Sequence, residues 1–489
     1  MPDNVSFNAI PIDIRTPGQF IEIDNTNATG GIPQQAQTIL VLGQRLAAAP
    51  VIAEVPTQIF SGTQGAAFFG RGSMLARMIA AARAANPSTE MWAIALDDLA
   101  AGVAASGTLT VTGAPSAGTL ALMIGGTEVM VGVAAAEQNS VTATNIAAAI
   151  NANLDLPVTA AANLGVVTVT ARHKGECGND IDMRLNYYNG EMTPQGLAVA
   201  ISAMANGTGN PDVAGAIAAI GGDQYYTIIM PWTDAANMSE IETFLTTNWG
   251  PMVQKTGHSF SAVNGTLATL GTYGTARNSP HSTVMGIYDM PIEPCITAAV
   301  LGAVCQYYGS IDPARPFQTL QLPGLLPPPM QSQFTRDDRD LLLHDGISTF
   351  TVDAGGNVLI ERVITTYQTN SLGIADVSYL DLNTVWTVDA IRYAIRARIA
   401  LRFPRFKLAD DGTNFAPGQA IVTPSIIAAE LVQLASDLEQ AGLIENLTQF
   451  KQDLLVVRST ANVDQVNAVI PPNIVNQFRV FAASVQFIL

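Results

Sequence analysis

Charge is what this chain has least of. Asp, Glu, Lys and Arg make up 13% of its 489 residues, about half the share usual in a globular domain. The deficit is heavier on the basic side: 23 Lys and Arg stand against 40 Asp and Glu, for a net charge of -17. That balance excludes general nucleic-acid binding, which needs basic patches to displace counterions from phosphates. Cysteine is scarce as well. Cys177, Cys295 and Cys305 are too few and too scattered for a disulfide framework or a zinc site, and read as buried or half-buried thiols of a protein made in a reducing compartment. The four histidines, His173, His258, His281 and His344, lack metal-ligand spacing, so no metal is expected. At the N-terminus no basic stretch runs into an apolar one, so no signal peptide is evident. No apolar run reaches the roughly 18 residues that a membrane span takes, and membrane insertion is not expected.

What the chain has is apolar bulk. Hydrophobic residues account for 48%, with 41 Gly and 27 Pro, the reverse of the balance that leaves a segment disordered. At this length one core does not suffice, and two to four domains are expected. Sparse charge beside abundant Ala, Gly and Thr implies that neighbouring subunits cover much of the surface.

Residues 1–30 read as an arm. Pro11, Pro17, Gly18, Gly30 and Gly31 forbid a helix, while Phe20, Ile21, Glu22 and Ile23 alternate as a strand does. That strand has no local partner and must pair at a distance, in another chain for instance. An α/β pattern begins at residue 38. Continuous apolar strands at 38–42 and 91–96, with a helix through Met74, Met78 and Ile79 between them, argue for a parallel sheet covered on both faces. Between 106 and 205 the pattern changes to short alternating runs such as Thr108-Leu-Thr-Val-Thr112 and Val166-Val-Thr-Val-Thr-Ala171. With Gly-rich turns between them and one Ala-rich helix at 142–153, these describe a β-rich unit inserted into the α/β domain.

The α/β pattern resumes with a helix at 212–220, a strand at 225–230 and a helix at 239–248. The Pro-rich residues 322–330 form a connector. A helix starts at Arg336, and 346–361 reads as a hairpin turning at 353–357. Two further helices lie at 385–403 and 424–441. The second has Thr423 as N-cap, Pro424 in its first position and Gly442 past its end. Residues 480–489 read as a last strand with nothing after it.

Catalytic chemistry is missing from the motifs. The stretch Gly65-Ala-Ala-Phe-Phe-Gly70-Arg71-Gly72-Ser73 lacks the Lys that a phosphate loop places after its second Gly, and reads as a tight turn entering a helix. No Gly-x-Ser-x-Gly elbow occurs, and the nearest thing to a serine-protease loop, Asn264-Gly-Thr-Leu-Ala268, has no Ser. Asp97-Asp98 and Arg336-Asp-Asp-Arg-Asp340 read as helix-start or solvated charges rather than acid/base pairs. No catalytic residue and no cofactor site is assigned, and the chain is not expected to be an enzyme.

One helix has too little solvent face. Val388, Ile391, Ile395, Ile399 and Phe403 form one stripe on a helical wheel. Arg392 and Arg396 flank one side, Arg398 and Arg402 lie beside the other, and Ala394, Ala397, Ala400 and Leu401 fill the rest. Arg405 and Lys407 extend the positive charge. Two readings are open. Either the arginines of a core helix pair with local carboxylates, or they meet an acidic partner surface, where charge steers and registers a contact without making it tight.

Several stretches carry a resemblance when taken in order: Ile10-Pro-Ile-Asp-Ile-Arg15-Thr-Pro-Gly18, Phe69-Gly-Arg-Gly-Ser-Met-Leu75, Ala171-Arg-His-Lys-Gly-Glu-Cys-Gly-Asn-Asp-Ile181 and Glu361-Arg-Val-Ile-Thr-Thr-Tyr367. Over essentially its whole length the chain resembles the tail sheath proteins of Mu-like contractile phages. The resemblance implies a multidomain α/β fold with α+β parts. Its pieces are an N-terminal arm (1–30), a subtilisin-like α/β sheath domain (31–105 and 206–361), an inserted β-rich domain (106–205), an α+β C-terminal sheath domain (362–478) and a C-terminal arm strand (479–489).

The implied function is structural. Such a subunit polymerises with itself as stacked hexameric rings around a tail tube protein, meets baseplate and tail terminator proteins, and contracts to drive the tube through the host envelope. It belongs to a virion assembled in the host cytoplasm. In related sheaths both arms add strands to a neighbour's C-terminal domain. The donor positions here are Phe20, Ile21, Glu22 and Ile23, with Phe481, Val485 and Phe487, and the expected acceptor is a sheet containing 358–365 and 454–458. Arg392, Arg396, Arg398, Arg402, Arg405 and Lys407 are the tube-facing candidates. The sheath of a phage-derived bacteriocin or secretion device shares the same subunit physics, and a degenerate α/β hydrolase is the remote alternative.

Overall fold

The computed structural model describes residues 16–19, 35–416 and 418–488. The chain divides into two compact units, Gln37–Val385 and a second that holds Trp386–Leu489 with the residues before Gln37. The expected strand at Phe20, Ile21, Glu22 and Ile23 lies outside the described residues.

The first unit opens with β1 (Thr38–Gln44), β2 (Thr57–Ile59), α1 (Gly62–Phe69), α2 (Met74–Ala85) and β3 (Glu90–Leu96). The insert follows as β4 (Ala104–Gly113), β5 (Gly118–Ile124), β6 (Thr127–Val133), α3 (Asn139–Ala152), β7 (Val158–Asn163), β8 (Val166–Lys174), β9 (Met183–Leu185) and β10 (Leu197–Ala205). Then come α4 (Ala214–Ile220), β11 (Thr227–Ile229), α5 (Ala235–Trp249), β12 (His258–Asn264), α6 (Leu267–Thr275), β13 (Ser282–Ile287), α7 (Pro294–Ile311), α8 (Arg336–His344), β14 (Thr349–Val352) and β15 (Val358–Arg362).

One sheet runs in the order β13-β12-β11-β1-β3-β2, parallel except for β2. Its central strand β1 buries Ile39, Leu40, Val41 and Leu42 completely, as a strand covered on both faces must. From β1 the chain winds one way to β3 and, after the insert, the other way through β11, β12 and β13. This is a doubly wound sheet, with α2 packed on α7 and α4 packed on α5. By length and composition α7 could cross a bilayer, but it is the core helix, with Ala298, Ala299, Leu301, Ala303 and Cys305 fully buried. Gly302 permits its close approach to the sheet, since a Cβ there would sit 3.1 Å from Ile229 Cγ1.

The insert has a core of its own. Sheets β10-β4-β8-β7 and β6-β5-β9 contribute Leu109, Leu120, Val131 and Val169 to one cluster, joined by Ile146 and Ile150 of α3. Its seam with the α/β part is polar and buried. The turn between β5 and β6 holds Gly125 at φ +51°, and Gly125 O accepts from Arg77 Nη2 at 3.0 Å. Arg77 also donates to both carboxylate oxygens of Glu293, at 2.6 and 2.9 Å. Glu293 is 2% exposed and is the N-cap residue of α7, so one ion pair ties α2, α7 and the insert together. A Cβ on Gly125 would come within 2.5 Å of Glu293 Oε1, and only glycine fits. Nearby, Arg184 of β9 joins Asp182 to Asp289 of the α/β part, reaching the latter at 3.0 Å.

Helix α9 (Leu382–Arg402) leads into the second unit. There follow β16 (Lys407–Leu408), β17 (Ile421–Val422), α10 (Pro424–Gln440), β18 (Ile444–Glu445), α11 (Leu447–Asp453), β19 (Leu455–Arg458), β20 (Val466–Val469) and β21 (Asn473–Ile474). The strands pair as β16–β17, β18–β21 and β19–β20. Leu431, Leu434 and Leu438 of α10 are buried, and Gly442 follows at φ +72°. Thr423 precedes α10 without capping it; its hydroxyl lies 3.0 Å from Ser425 Oγ instead.

The chain is thus a mixed α/β protein with several sheets, and two expectations change. Residues 65–69 are not a turn but the end of α1, whose start is fixed when Ser61 Oγ accepts from Gln64 N and Gln64 Oε1 accepts from Phe60 N. The strands expected to form one acceptor sheet are separate, β15 pairing with β14 and β19 with β20. The compact units divide within α9, and inside the first of them Arg362 bonds Asp381 at 3.0 Å and Thr283 Oγ1 donates to Ile364 O at 2.9 Å. Residues 480–488 carry no strand pairing within the described chain.

Replacing Arg77 by Ala leaves Glu293 buried and unpaired, and is expected to cost about 3–5 kcal/mol. Arg71→Ala removes only a surface pair with Asp155 and should leave stability unchanged within error. Urea unfolding of the two variants checks the contrast.

Candidate assembly surfaces

Open α/β sheets bind ligands outside the carboxyl ends of their strands, where the strand order reverses. Here that place is the edge shared by β1 and β11, and the insert fills it. Gln44, the last residue of β1, donates from Nε2 to Lys174 O at 2.7 Å and to Asp98 Oδ1 at 2.8 Å. Cys177, on the short helix Glu176–Asp180, donates from Sγ to Pro231 O, just past β11, at 3.7 Å.

An Asp–His pair sits in the same seam, with Asp98 Oδ1 2.9 Å from His173 Nδ1. His173 Nε2 accepts the backbone N–H of Met74 at 3.1 Å, so the ring proton is on Nδ1 and points at Asp98. The nitrogen that would act as a base therefore holds the first turn of α2, where a hydrolase would place a hydroxyl or thiol. Burial opposes charge on Asp98, but hydrogen bonds from His173, Lys174 N and Gln44 keep its carboxyl below the ordinary range. Among the described residues no group of three His, Cys, Asp or Glu side chains is placed to hold a metal ion.

His258 on β12 is likewise built into the core. Thr283 gives its hydroxyl proton to Ile364 O, so its 2.8 Å contact with His258 Nε2 is donated by the ring. Burial pushes this imidazole well below its ordinary 6.5, and His281 adds to the effect.

The basic residues of the second unit divide into two groups. Arg398 is 6% exposed; its Nη1 donates to Glu430 Oε1 at 3.0 Å and its Nη2 to Asp437, both on α10. Burial opposes its charge, yet the two carboxylates outweigh this and raise its pKa. Arg402 Nε donates to the same Glu430 oxygen at 3.2 Å, and Arg392 Nη2 donates to buried Asp389 at 3.1 Å. For these three the structure shows pairing with local carboxylates, and Arg398 is a strut between α9 and α10 rather than a surface residue. Arg396, Arg405 and Lys407 are exposed. Arg396 stacks over Tyr393 at 5.6 Å, and Lys407 Nζ donates to Gln419 at 3.1 Å. Periodicity could not mark Arg398 and Arg402 as paired, because their partners lie on α10, whereas the partner of Arg392, Asp389, lies one turn back on the same helix.

Apolar surface is concentrated in the same unit. Residues 480–488 are all exposed, with Phe481 at 79%, Val485 at 89% and Phe487 at 78%. In an extended chain these three share one face. Leu455 and Val469, directly paired in the β19–β20 hairpin, are exposed together with Val457. One face of that hairpin is therefore apolar and open, while β19 packs on α10.

Residues 206–366 match the family model described as phage tail sheath protein central domain, and residues 375–488 match the phage tail sheath C-terminal domain. The Mu-like prophage FluMu tail sheath protein of Haemophilus influenzae is 41% identical over 487 residues, which cover 99% of this chain and 100% of that protein. The chain belongs to the Mu-like phage tail sheath family. Solved structures similar to this sheath protein include a sheath tail protein from Desulfitobacterium hafniense, at 14% identity and TM-score 0.48, covering 94% of this chain and 100% of the other. The contracted helical sheath of the anti-feeding prophage is similar at 10% identity and TM-score 0.49, covering 97% and 99%. As a member of its family, this sheath protein is a structural subunit of a contractile tail and a component of the virion.

Arg398→Ala is expected to destabilise the subunit by about 2 kcal/mol, less than a wholly buried pair would, since both carboxylates are partly in water; urea unfolding measures it. Stability should also decline as pH falls below 6.5, the ordinary value for His258, because the unfolded chain takes up a proton that the folded ring resists. In His258→Gln that acid limb should flatten in thermal unfolding followed over a pH series.

Proposed function

We propose that the subunit builds its sheath by donating terminal strands to neighbours, as stacked hexameric rings around a tail tube, and that contraction releases energy stored in those contacts without a catalytic step. The observation that carries this reading is the segment 480–488, which is strand-forming in composition, exposed, and without strand pairing among the described residues. An apolar strand of this kind is an aggregation hazard unless a partner covers it. The β19–β20 hairpin of a neighbouring copy suits it: two open edges supply main-chain hydrogen bonds, and an apolar face receives Phe481, Val485 and Phe487. Phe20, Ile21, Glu22 and Ile23 are the second donor. Main-chain pairing of this sort survives large rigid-body motion, so the arms act as hinges while the lattice shortens. An extended lattice held by a kinetic barrier needs no fuel when it fires.

Arg396, Arg405 and Lys407, the exposed members of the basic set, face an acidic tube exterior in this scheme, and baseplate and tail terminator proteins close the two ends. The inserted domain, residues 106–205, lies on the outer side, where added mass disturbs the lattice least. The engaged His173 supports a subunit with no hydrolytic role.

Deleting residues 480–489 should leave circular dichroism and thermal unfolding of the subunit unchanged while abolishing the tubes or rings that the full chain forms in negative-stain microscopy. Tubes from the truncated chain would remove this end from the mechanism. Charge reversal at Arg396 and Lys407 should weaken co-sedimentation with the tail tube by at least about tenfold at low salt, and less at high salt.

A further inference from the structure

Two of the three thiols converge where the insert meets the α/β part. Cys177 lies on the short helix Glu176–Asp180 of the insert, and Cys295 lies in the first turn of α7. That short helix packs against α7. Both cysteines line the same two cavities, one walled by Gln44, Arg77 and His173 and the other by Asp180, Asn210 and Asn264. Cys305, farther along α7, lines neither of these and is fully buried. The electrostatics agree with this placement. Burial raises both thiols, Cys295 to about 12; beyond that, Cys295 acts on Cys177, and Asp180 acts on both.

We propose that Cys177 and Cys295 are a disulfide-forming pair, a covalent tether between the insert and α7 that closes when the virion passes from the reducing cytoplasm into an oxidising medium. A virion component is made under conditions that keep thiols reduced and then persists where they oxidise. The pair stays open during folding and assembly and closes afterwards. It joins two elements already in contact, and needs only the family's place in a virion, not the strand-exchange mechanism.

With oxidised glutathione as the oxidant, the step balances. Cys177, the more accessible thiol, gives its proton to water and attacks one glutathione sulfur, releasing one glutathione thiolate and leaving a mixed disulfide. Cys295 then gives its proton to the released glutathione thiolate and attacks Cys177 Sγ, expelling the second glutathione as a thiolate that takes up the proton first lost to water. Two protein thiols are oxidised and one small disulfide is reduced to two thiols. Because burial holds both thiols protonated, closure proceeds on the order of hours rather than seconds.

The test exposes the purified full-length subunit to a series of oxidised-to-reduced glutathione ratios, then denatures it, alkylates it and maps its peptides. The expected result is loss of two of three thiols per chain and a Cys177 peptide linked to the Cys295 peptide within one chain, reversed by dithiothreitol and unchanged in Cys305→Ser. A trivalent arsenical, which bridges two neighbouring thiols, should bind the folded wild type one-to-one and bind Cys177→Ser at least about tenfold more weakly. Three thiols still free after prolonged oxidation, a glutathione adduct on Cys177 that never resolves, or links between chains or to Cys305 would each overturn the proposal. Circular dichroism of Cys177→Ser establishes that the variant is folded when the arsenical is applied.

Discussion

The ion pair between Arg77 and Glu293 is the point on which the first unit's architecture depends. Two opposite charges are taken out of water there, which costs several kcal/mol per ion before any attraction is counted. The geometry offsets that cost. Two short hydrogen bonds join the charged groups, and Nη2 of Arg77 donates also to Gly125 O of the insert. A guanidinium has a fixed fork of donors, so its bonds here tie three elements at once: the helix that carries it, the helix that Glu293 precedes, and a hairpin turn of the insert. The sheet edge where α/β enzymes keep their chemistry is closed as a by-product. His173, Gln44 and Asp98 hold secondary structure there.

The low charge content takes on meaning once the partners are known. Arg45 pairs with Asp97, Arg184 with Asp182 and Asp289, Arg339 with Glu361, Arg362 with Asp381, and Arg398 with Glu430 and Asp437. Much of the small basic complement is thus committed within the chain. What the second unit exposes instead is apolar: Leu455, Val457 and Val469 of its hairpin and Phe481, Val485 and Phe487 near its end. A lattice held mainly by such contacts is less sensitive to ionic strength than one held by ion pairs, because screening acts on charge and not on main-chain hydrogen bonds or apolar burial.

The sequence was readable where burial follows a period. The strands β1 and β3, the helices α2 and α10, and the β14–β15 hairpin each show the apolar run, stripe or turn that their environment demands. It was opaque between residues 249 and 322. There β12 and β13 bury Ser259, Ser261, Ser282 and Thr283 completely, which conceals two core strands behind polar letters. Three of these hydroxyls are satisfied by groups distant in sequence: Ser259 Oγ donates to His281 O at 3.2 Å, Ser261 Oγ to Met238 Sδ at 3.8 Å and Thr283 Oγ1 to Ile364 O at 2.9 Å. Helix α7 hides for the opposite reason: buried on nearly every side, it has no polar face and therefore no period. Helix α1 hides behind Gly65, which packs on Ile79, although Ser61 and Gln64 carry the capping signature that marks its start. For the arginine helix the sequence left local pairing and a partner surface open, and the carboxylates of α10 that hold Arg398 and Arg402 were not visible from its own period.

The way the insert is hung has a consequence for how such proteins diversify. Its first and last strands are neighbours in one sheet, with Ala205 opposite Ser106, and the chain just outside them is stitched by a bridge between Val103 and Thr208. Entry and exit are therefore side by side, and the module encloses its own core. A lineage can lengthen, shorten or replace such a module by recombination at one spot without shifting the register of the parallel sheet beneath it. That makes this site a natural socket for grafting foreign domains onto the subunit.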